Sequence, residues 1–461
     1  MEVLLLRGVY MDIWYPLIKK VFFPYMELVK GNKIRKKLSY LKQMERKSYE
    51  EIKDKQQADL KKLLLHSIEH VPAYKKFKKL KKEIEANPYE ALKKFPVLTK
   101  KDLMGAPDQY LSGHVSKYKL IPNLTGGSTG EPVKFYMDRE TVEWYEAARW
   151  QGLSWREVEI GHRSVMIWGS PIELNKSQHQ KYALKEKVLK NRIIFPAYDI
   201  NPDSIENYVK TLHEYQPKYI YGYASALNIF AKLIEEKGLE IQLSLKAIIS
   251  TSENLYDFQR EQIERVFRCP VVNEYGARDG GIIAYECPHG SMHLTELNAV
   301  YETIDIQSKG EVSLGEEGSL LVTDLHNFVM PRLRYQVGDM VTKSVNKCMC
   351  GRNTSILQSI EGRVDDTFIA KDGSYVHGHF FNHVVRTTKG ISQFQFIQHT
   401  PKTMSLKIVK GPEFAEQEVL DVVSKIKDKM GNHEIDVEYV DHIAPSKSGK
   451  VRYAIREYPL N

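Results

Sequence analysis

Between Ser164 and Asn273 short apolar or aromatic runs alternate with longer stretches of helical periodicity, and this alternation narrows the fold more than any other feature of the sequence. The runs Ser164 to Trp168, Tyr219 to Tyr221, Ala247 to Ser250 and Val271 to Asn273 read as strands, with Ser225 to Lys237 and Phe258 to Phe267 as helices between them. Strands alternating with helices imply a parallel or mixed sheet covered by helices.

The flanks differ in texture. From Tyr49 to Glu85 the period is helical, with Leu60, Leu63, Leu64, Ile68 and Val71 forming one apolar stripe that Pro72 ends. From about Tyr301 to Val341, the runs Thr303 to Ile306, Gly318 to Thr323 and Met340 to Thr342 read as antiparallel strands of a small β-barrel or ribbon. Beyond Gly362 the order is strand, turn, helix, two strands, an amphipathic helix carrying Val419, Val422, Val423, Ile426 and Met430, and two strands. The expected class is therefore α/β plus α+β. Residues 1–95 form a helical layer of the large domain, 96–362 its remainder, and 363–461 a small α+β domain of a size that can hold its own core.

The 461 residues are 42% hydrophobic and 27% charged, a globular composition that excludes a disordered tail, a collagen and a disulfide mini-protein. Four cysteines cannot staple a chain of this length, so reduced thiols and a cytoplasmic setting are expected. The net charge of +8 admits an anionic partner without naming one. Mean hydropathy of −0.43 argues against an integral membrane protein. Residues 1–30 are aromatic and apolar, but Arg7, Asp12, Lys19 and Lys20 interrupt them, and neither a spanning helix nor a signal peptide fits. With Lys30, Lys33, Arg35, Lys36 and Lys37 following, the segment reads either as an amphipathic helix lying on an anionic membrane or as a helix packed on its own domain with a solvated basic end. The lysine run from Lys75 to Lys82 reads as a solvated face. No stacking platform accompanies it, so a nucleic-acid partner is not expected.

Four motifs carry chemistry. Thr125, Gly126, Gly127, Ser128, Thr129 and Gly130 form a glycine and hydroxyl loop whose N–H and O–H donors suit a polyphosphate, although no Lys-Ser/Thr pair makes it a Walker loop. Asn273 to Gly280 follows an apolar strand and offers Tyr275 and Gly276 as a wall for a base and Asp279 as a metal-ligating acid. Asp339, after Gly338, can accept two ribose hydroxyls, and Arg363 can meet a phosphate or ribose oxygen. Last comes Ser448-Gly449-Lys450, a lysine on a glycine near the chain end.

In this order the motifs resemble those of the adenylate-forming superfamily, from Leu124 to Arg452. The chain looks most like the phenylacetate-CoA ligase branch, which includes adenylate-forming proteins encoded with capsular polysaccharide genes; the segment His66 to Tyr74 and the loop Thr125 to Pro132 carry that likeness. The resemblance implies a large domain and a small mobile C-terminal domain that bind ATP, Mg²⁺ and a carboxylate between them. It implies activation of the carboxylate as an acyl-adenylate, then acyl transfer, with CoA the expected acceptor. An amine, a sugar or a carrier thiol in cell-surface polysaccharide assembly is the alternative acceptor, and a non-catalytic membrane-peripheral assembly factor the alternative class. By the resemblance, Thr125 to Thr129 hold the β- and γ-phosphates, Tyr275 and Gly276 flank adenine, Asp279 ligates Mg²⁺ where the superfamily more often has Glu, and Asp339 with Arg363 binds the ribose. Asp365 would be the hinge and Lys450 the catalytic lysine. Tyr221, Tyr223, Ser225 and the turn Thr251 to Asn254 would line the acyl pocket, whose aromatic walls favour a flat or medium-sized acid.

A separate cluster joins Cys287, His289 and His293 to Cys348 and Cys350. Three thiols and one imidazole suit tetrahedral zinc. Some members of the resembled branch carry a structural zinc here, and their spacing favours His293 over His289. Cys269 lies apart and reads as a packed thiol.

Overall fold

The computed structural model describes residues 12, 14–113, 120–124, 134–168, 176–305, 307–363, 367–371, 375–377, 379–385, 388, 390–431, 433–444 and 453–458. Among these, eleven strands hydrogen-bond into one mixed sheet. Its parallel part runs, from the edge inward, Arg192–Pro196, Ser164–Trp168, Tyr219–Tyr223, Ala247–Thr251 and Val271–Ala277. Ile248 and Val271 face a cluster with Phe230, Ile263 and Phe267, while their neighbours Ile249 and Val272 face Ala147, Ala148 and Leu153 of the helix Arg139–Ser154. Burial on both faces is why these strands read as unbroken apolar runs. That helix lies close to the sheet at Gly152, where a Cβ would come within 2.3 Å of the Tyr285 ring.

Three strands run further than their apolar cores. Pairing of Tyr223 with Thr251 and of Thr251 with Glu274 extends them, and Gly276 and Ala277 pair onward with Ile282 and Gly281. Residues Asn273 to Ala277 are therefore inside a strand rather than after it, because Asn273 and Glu274 pair with Ser250 and Thr251 on one side and Glu274 to Ala277 pair with the strand Gly281–Glu286 on the other. The antiparallel strands expected from residue 301 are present as Ala299–Ile304, Glu317–Asp324 and Tyr335–Lys343. They continue through Ile356–Arg363, Met292–Leu294 and Gly281–Glu286 into the parallel part, so both belong to one sheet.

The helix Tyr49–His70 opens on a capping box between Ser48 and Glu51. Its stripe of Leu60, Leu63, Leu64, Ile68 and the following Val71 is buried with Phe95, Leu325 and Leu333; each such side chain contributes about 1.5–3 kcal/mol. Past Pro72, a 3₁₀ segment leaves Lys75, Lys76, Lys78 and Lys79 exposed, a solvated face. Among the described residues no helix is long and apolar enough to cross a membrane.

The small C-terminal domain has a second sheet in the order Glu434–Tyr439, Thr403–Lys410, Ile391–Gln398, Ala454–Arg456. The helix Glu416–Met430 buries Val419, Val422, Ile426 and Met430 against Phe396, Leu406 and Ile408. The domain touches the large one where Lys232 Nζ donates to Ser392 Oγ at 2.8 Å and Gln259 Nε2 to the Tyr453 hydroxyl at 3.4 Å, beside Tyr256, whose ring centroid lies 6.0 Å from that of Tyr453.

Candidate functional site

Two reciprocal tyrosine–aspartate hydrogen bonds organise the edge of the sheet. Tyr275, on the strand Val271–Ala277, donates to Asp339 Oδ2 at 2.6 Å. Tyr335, on the strand that carries Asp339, donates back to Asp279 Oδ2 at 2.6 Å. Both lengths fall in the range of charge-assisted O–H···O⁻ bonds. Gly276 suits this crowding, since a Cβ there would sit 3.0 Å from the Gly281 carbonyl oxygen. Asp339 follows Gly338, at φ +92°, a left-handed conformation that favours glycine. The backbone of Asp339 pairs with that of Arg363, so Tyr275, Gly276, Asp279, Asp339 and the main chain of Arg363 share one region.

Beneath them sits a buried polar layer. The Arg332 guanidinium lies 4.7 Å from the Phe135 ring centroid, donates to the Tyr145 hydroxyl at 3.3 Å and is 3.7 Å from Asp324 Oδ2. Tyr145 in turn donates to Asp324 at 2.5 Å, and burial together with that carboxylate pushes its phenol well above the usual range. Tyr145 and Asp324 were not singled out in the sequence, and Tyr335 entered only as the tyrosine that opens the motif ending in Asp339, without a role of its own. The signal for Asp324 is faint: an acid closing the apolar run Leu320 to Thr323.

Around the expected acyl pocket, Tyr223 is buried with its ring 4.2 Å from that of Trp168. Ser225 is buried and its backbone N–H donates to Glu253 at 2.8 Å. Tyr221 donates to Glu274 at 2.5 Å, and Thr251 to the same oxygen at 3.2 Å. Burial, then the Glu274 charge, pushes the Tyr221 phenol up. With Arg149 Nε 3.6 Å from Glu274, the region pairs a buried carboxylate with a half-buried guanidinium, which the aromatic pattern did not disclose.

The cysteines meet at the far end of the same sheet. One ligand atom from each of Cys287, His293, Cys348 and Cys350 lies within 4.8 Å of the others. Cys287 Sγ is 3.6 Å from Cys348 Sγ, and Cys350 Sγ is 3.2 Å from His293 Nε2. A tetrahedron with Zn–S bonds of about 2.3 Å has edges of about 3.8 Å, so the donor set and its spacing fit zinc. His293 Nδ1 lies 3.1 Å from Thr354 Oγ1, an outer contact that orients the ring. Burial pulls the His293 imidazole down to about 4, which keeps it neutral and able to ligate. His289 is not in this group, and Cys269 is buried elsewhere.

Thr125, Gly126, Gly127, Ser128, Thr129 and Gly130, together with Asp365 and Lys450, lie outside the described residues.

Comparison with known proteins agrees with this fold. The family described as CapK C-terminal domain matches residues 368–457. The protein CapK of Staphylococcus aureus is 26% identical over 386 residues, 79% of this chain and 80% of that protein. Phenylacetate-coenzyme A ligase of Thermus thermophilus is 26% identical over 171 residues, 36% of this chain and 38% of that protein. Among solved structures, 2-hydroxyisobutyryl-CoA ligase in the postadenylation state superposes with a TM-score of 0.67 at 17% identity, covering 87% of this chain and 89% of that one. The fold is that of the adenylate-forming CoA ligases, a large mixed-sheet part followed by a small C-terminal domain. In sequence the similarity is to CapK over most of the chain, with the C-terminal family match inside it.

Proposed function

We propose that this protein activates a carboxylic acid with ATP through an acyl-adenylate and then passes the acyl group to an acceptor, CoA in the leading reading. The observation that carries the proposal is the reciprocal pair of tyrosine–aspartate bonds, which gathers Tyr275, Gly276, Asp279 and Asp339 from two distant segments into one site. Similarity to enzymes of this class adds support.

In this reading Tyr275 and Gly276 lie against adenine. Asp339, held by Tyr275, accepts the ribose hydroxyls, and Arg363 stands beside it. The loop of Thr125, Gly126, Gly127, Ser128, Thr129 and Gly130 holds the outer phosphates through backbone and hydroxyl donors. Asp279, oriented by Tyr335, would hold Mg²⁺, which when bound supplies charge neutralisation at the phosphates. The substrate carboxylate attacks the α-phosphorus, the P–O bond to pyrophosphate breaks, and Lys450 balances negative charge as it develops on the transferring group. The acceptor then attacks the acyl carbon and AMP leaves. Rotation at Asp365 between the two steps, with a division at residues 95 and 362, belongs to the same proposal. Tyr223 and Ser225 would border the acid. Zinc in the group Cys287, His293, Cys348 and Cys350 would be structural, since no described residue of the nucleotide region belongs to it.

The test is a panel of aryl, aliphatic, hydroxy and amino acids, each incubated with Mg-ATP with and without CoA, read by pyrophosphate release and product mass. Acid-dependent release supports the proposal, and a thioester product selects CoA over an amine or sugar. ATP binding without release for any acid would favour a non-catalytic role for the fold.

A further inference from the structure

We infer that the first helix is a membrane-docking surface for anionic lipid, an inference independent of the adenylation reading. Residues Trp14 to Lys30 form one helical stretch with a π turn at Ile18–Phe22, ended by Gly31 in a left-handed conformation. Its inner side is fixed. Tyr15 stacks 4.4 Å from His162, Tyr15 and Lys19 both bond Glu159, Ile18 is buried beside Gly161, and Glu27 is buried and pairs with Arg35.

Among the described residues, the outer side is apolar and exposed. Trp14, Leu17, Val21, Tyr25 and Leu28 recur at three- and four-residue spacing, and exposure rises along the helix to 63% at Tyr25 and 79% at Leu28. A large apolar residue scattered singly on a surface needs no explanation, but a contiguous stripe marks an interaction site. The inner anchors hold the stripe outward, so it is not a helix awaiting its own core.

Charge decides the occupant. Lys20 and Lys30 on this helix, and Lys33 and Lys36 just past its end, are exposed and make no ion pair among the described residues. An apolar stripe that includes the aromatics Trp14 and Tyr25, with unpaired lysines on the helix and just past its end, suits the headgroup level of an anionic bilayer, where each basic residue adds attraction that salt weakens. A second copy of the chain would bring like charges together at the same margin.

The full chain is to be sedimented with phosphatidylcholine vesicles and with vesicles containing about 30% phosphatidylserine, at low and high salt. The expected result is binding to the anionic vesicles, weakened at least about fivefold by high salt and at least about tenfold in a Val21→Ser, Tyr25→Ser, Leu28→Ser variant. Leu420→Ser, at an exposed apolar position in the small domain, should bind like the unaltered chain, and circular dichroism should show the triple variant folded. No sedimentation with either vesicle would overturn the inference. So would equal binding of the folded triple variant, or a dimer of the unaltered chain that the triple substitution abolishes without any vesicle binding.

Discussion

The Tyr335 hydroxyl donates to Asp279 at 2.6 Å, across 56 residues of sequence, while Tyr275, four residues before Asp279, donates to Asp339, four residues after Tyr335. Each segment thus orients an acid that belongs to the other. Loss of one bond should disturb the partner segment as well as its own aspartate.

Tyr275→Phe removes the donor to Asp339 and keeps the ring. The expected result is ATP affinity weakened by about 10-fold, because a hydrogen bond to a charged group is worth about 1.5–3 kcal/mol. Asp339→Asn should weaken it further. Calorimetric titration with ATP measures both, and unchanged affinity in Asp339→Asn would remove Asp339 from the ribose role.

Cys348→Ser and Cys350→Ser should each lower zinc content well below one equivalent in protein purified under reducing, metal-replete conditions. Elemental analysis reads this directly. Melting points should fall with the zinc, since structural sites contribute folding free energy. Purified protein free of zinc would contradict the site.

Arg334 and Glu302 are both buried and meet at 3.1 and 3.2 Å, and Arg334 also donates to the carbonyls of Lys93 and Phe95. Glu302→Gln leaves a buried guanidinium without its counter-charge. Denaturant unfolding should show a loss of about 3 kcal/mol.

His326 stacks on Trp144 with ring centroids 4.0 Å apart, and burial pulls its imidazole below the usual range. A histidine with a depressed folded pKa is protonated first in the unfolded chain. Its contribution to stability is therefore present above the unfolded value of about 6.5 and is lost as pH falls below it. Thermal unfolding from pH 7 to pH 5 should show a steeper fall in the unaltered chain than in His326→Phe, which keeps an aromatic ring but cannot take the proton. Equal slopes would contradict the assignment.

How much was legible can be traced to particular residues. Four of the five parallel strands and the helices Ala224–Glu236 and Asp257–Phe267 were visible, because burial on both faces makes strand residues such as Ile248, Ile249, Val271 and Val272 all apolar; the edge strand Arg192–Pro196 was not read. The thiol and imidazole group was visible because thiols are few, and the structure brings Cys287, His293, Cys348 and Cys350 together. The continuous sheet was not, because the pairing of Ile356 with His293 is long-range and leaves no local pattern. Nor were Tyr145, Asp324 and Arg149, whose roles depend on partners more than a hundred residues away. At the N-terminus, composition left two readings open, and the helix has features of both: Ile18 packs inward while Leu28 faces out.

The central claim is reversible adenylation, and acid-dependent exchange of labelled pyrophosphate into ATP tests it most directly because it needs no acceptor. With the acid that the panel identifies, the unaltered chain should show exchange, and Lys450→Ala should lose it by at least about 100-fold while still binding ATP. Exchange that persists unchanged in Lys450→Ala, or ATP bound with no exchange for any acid, would contradict the account.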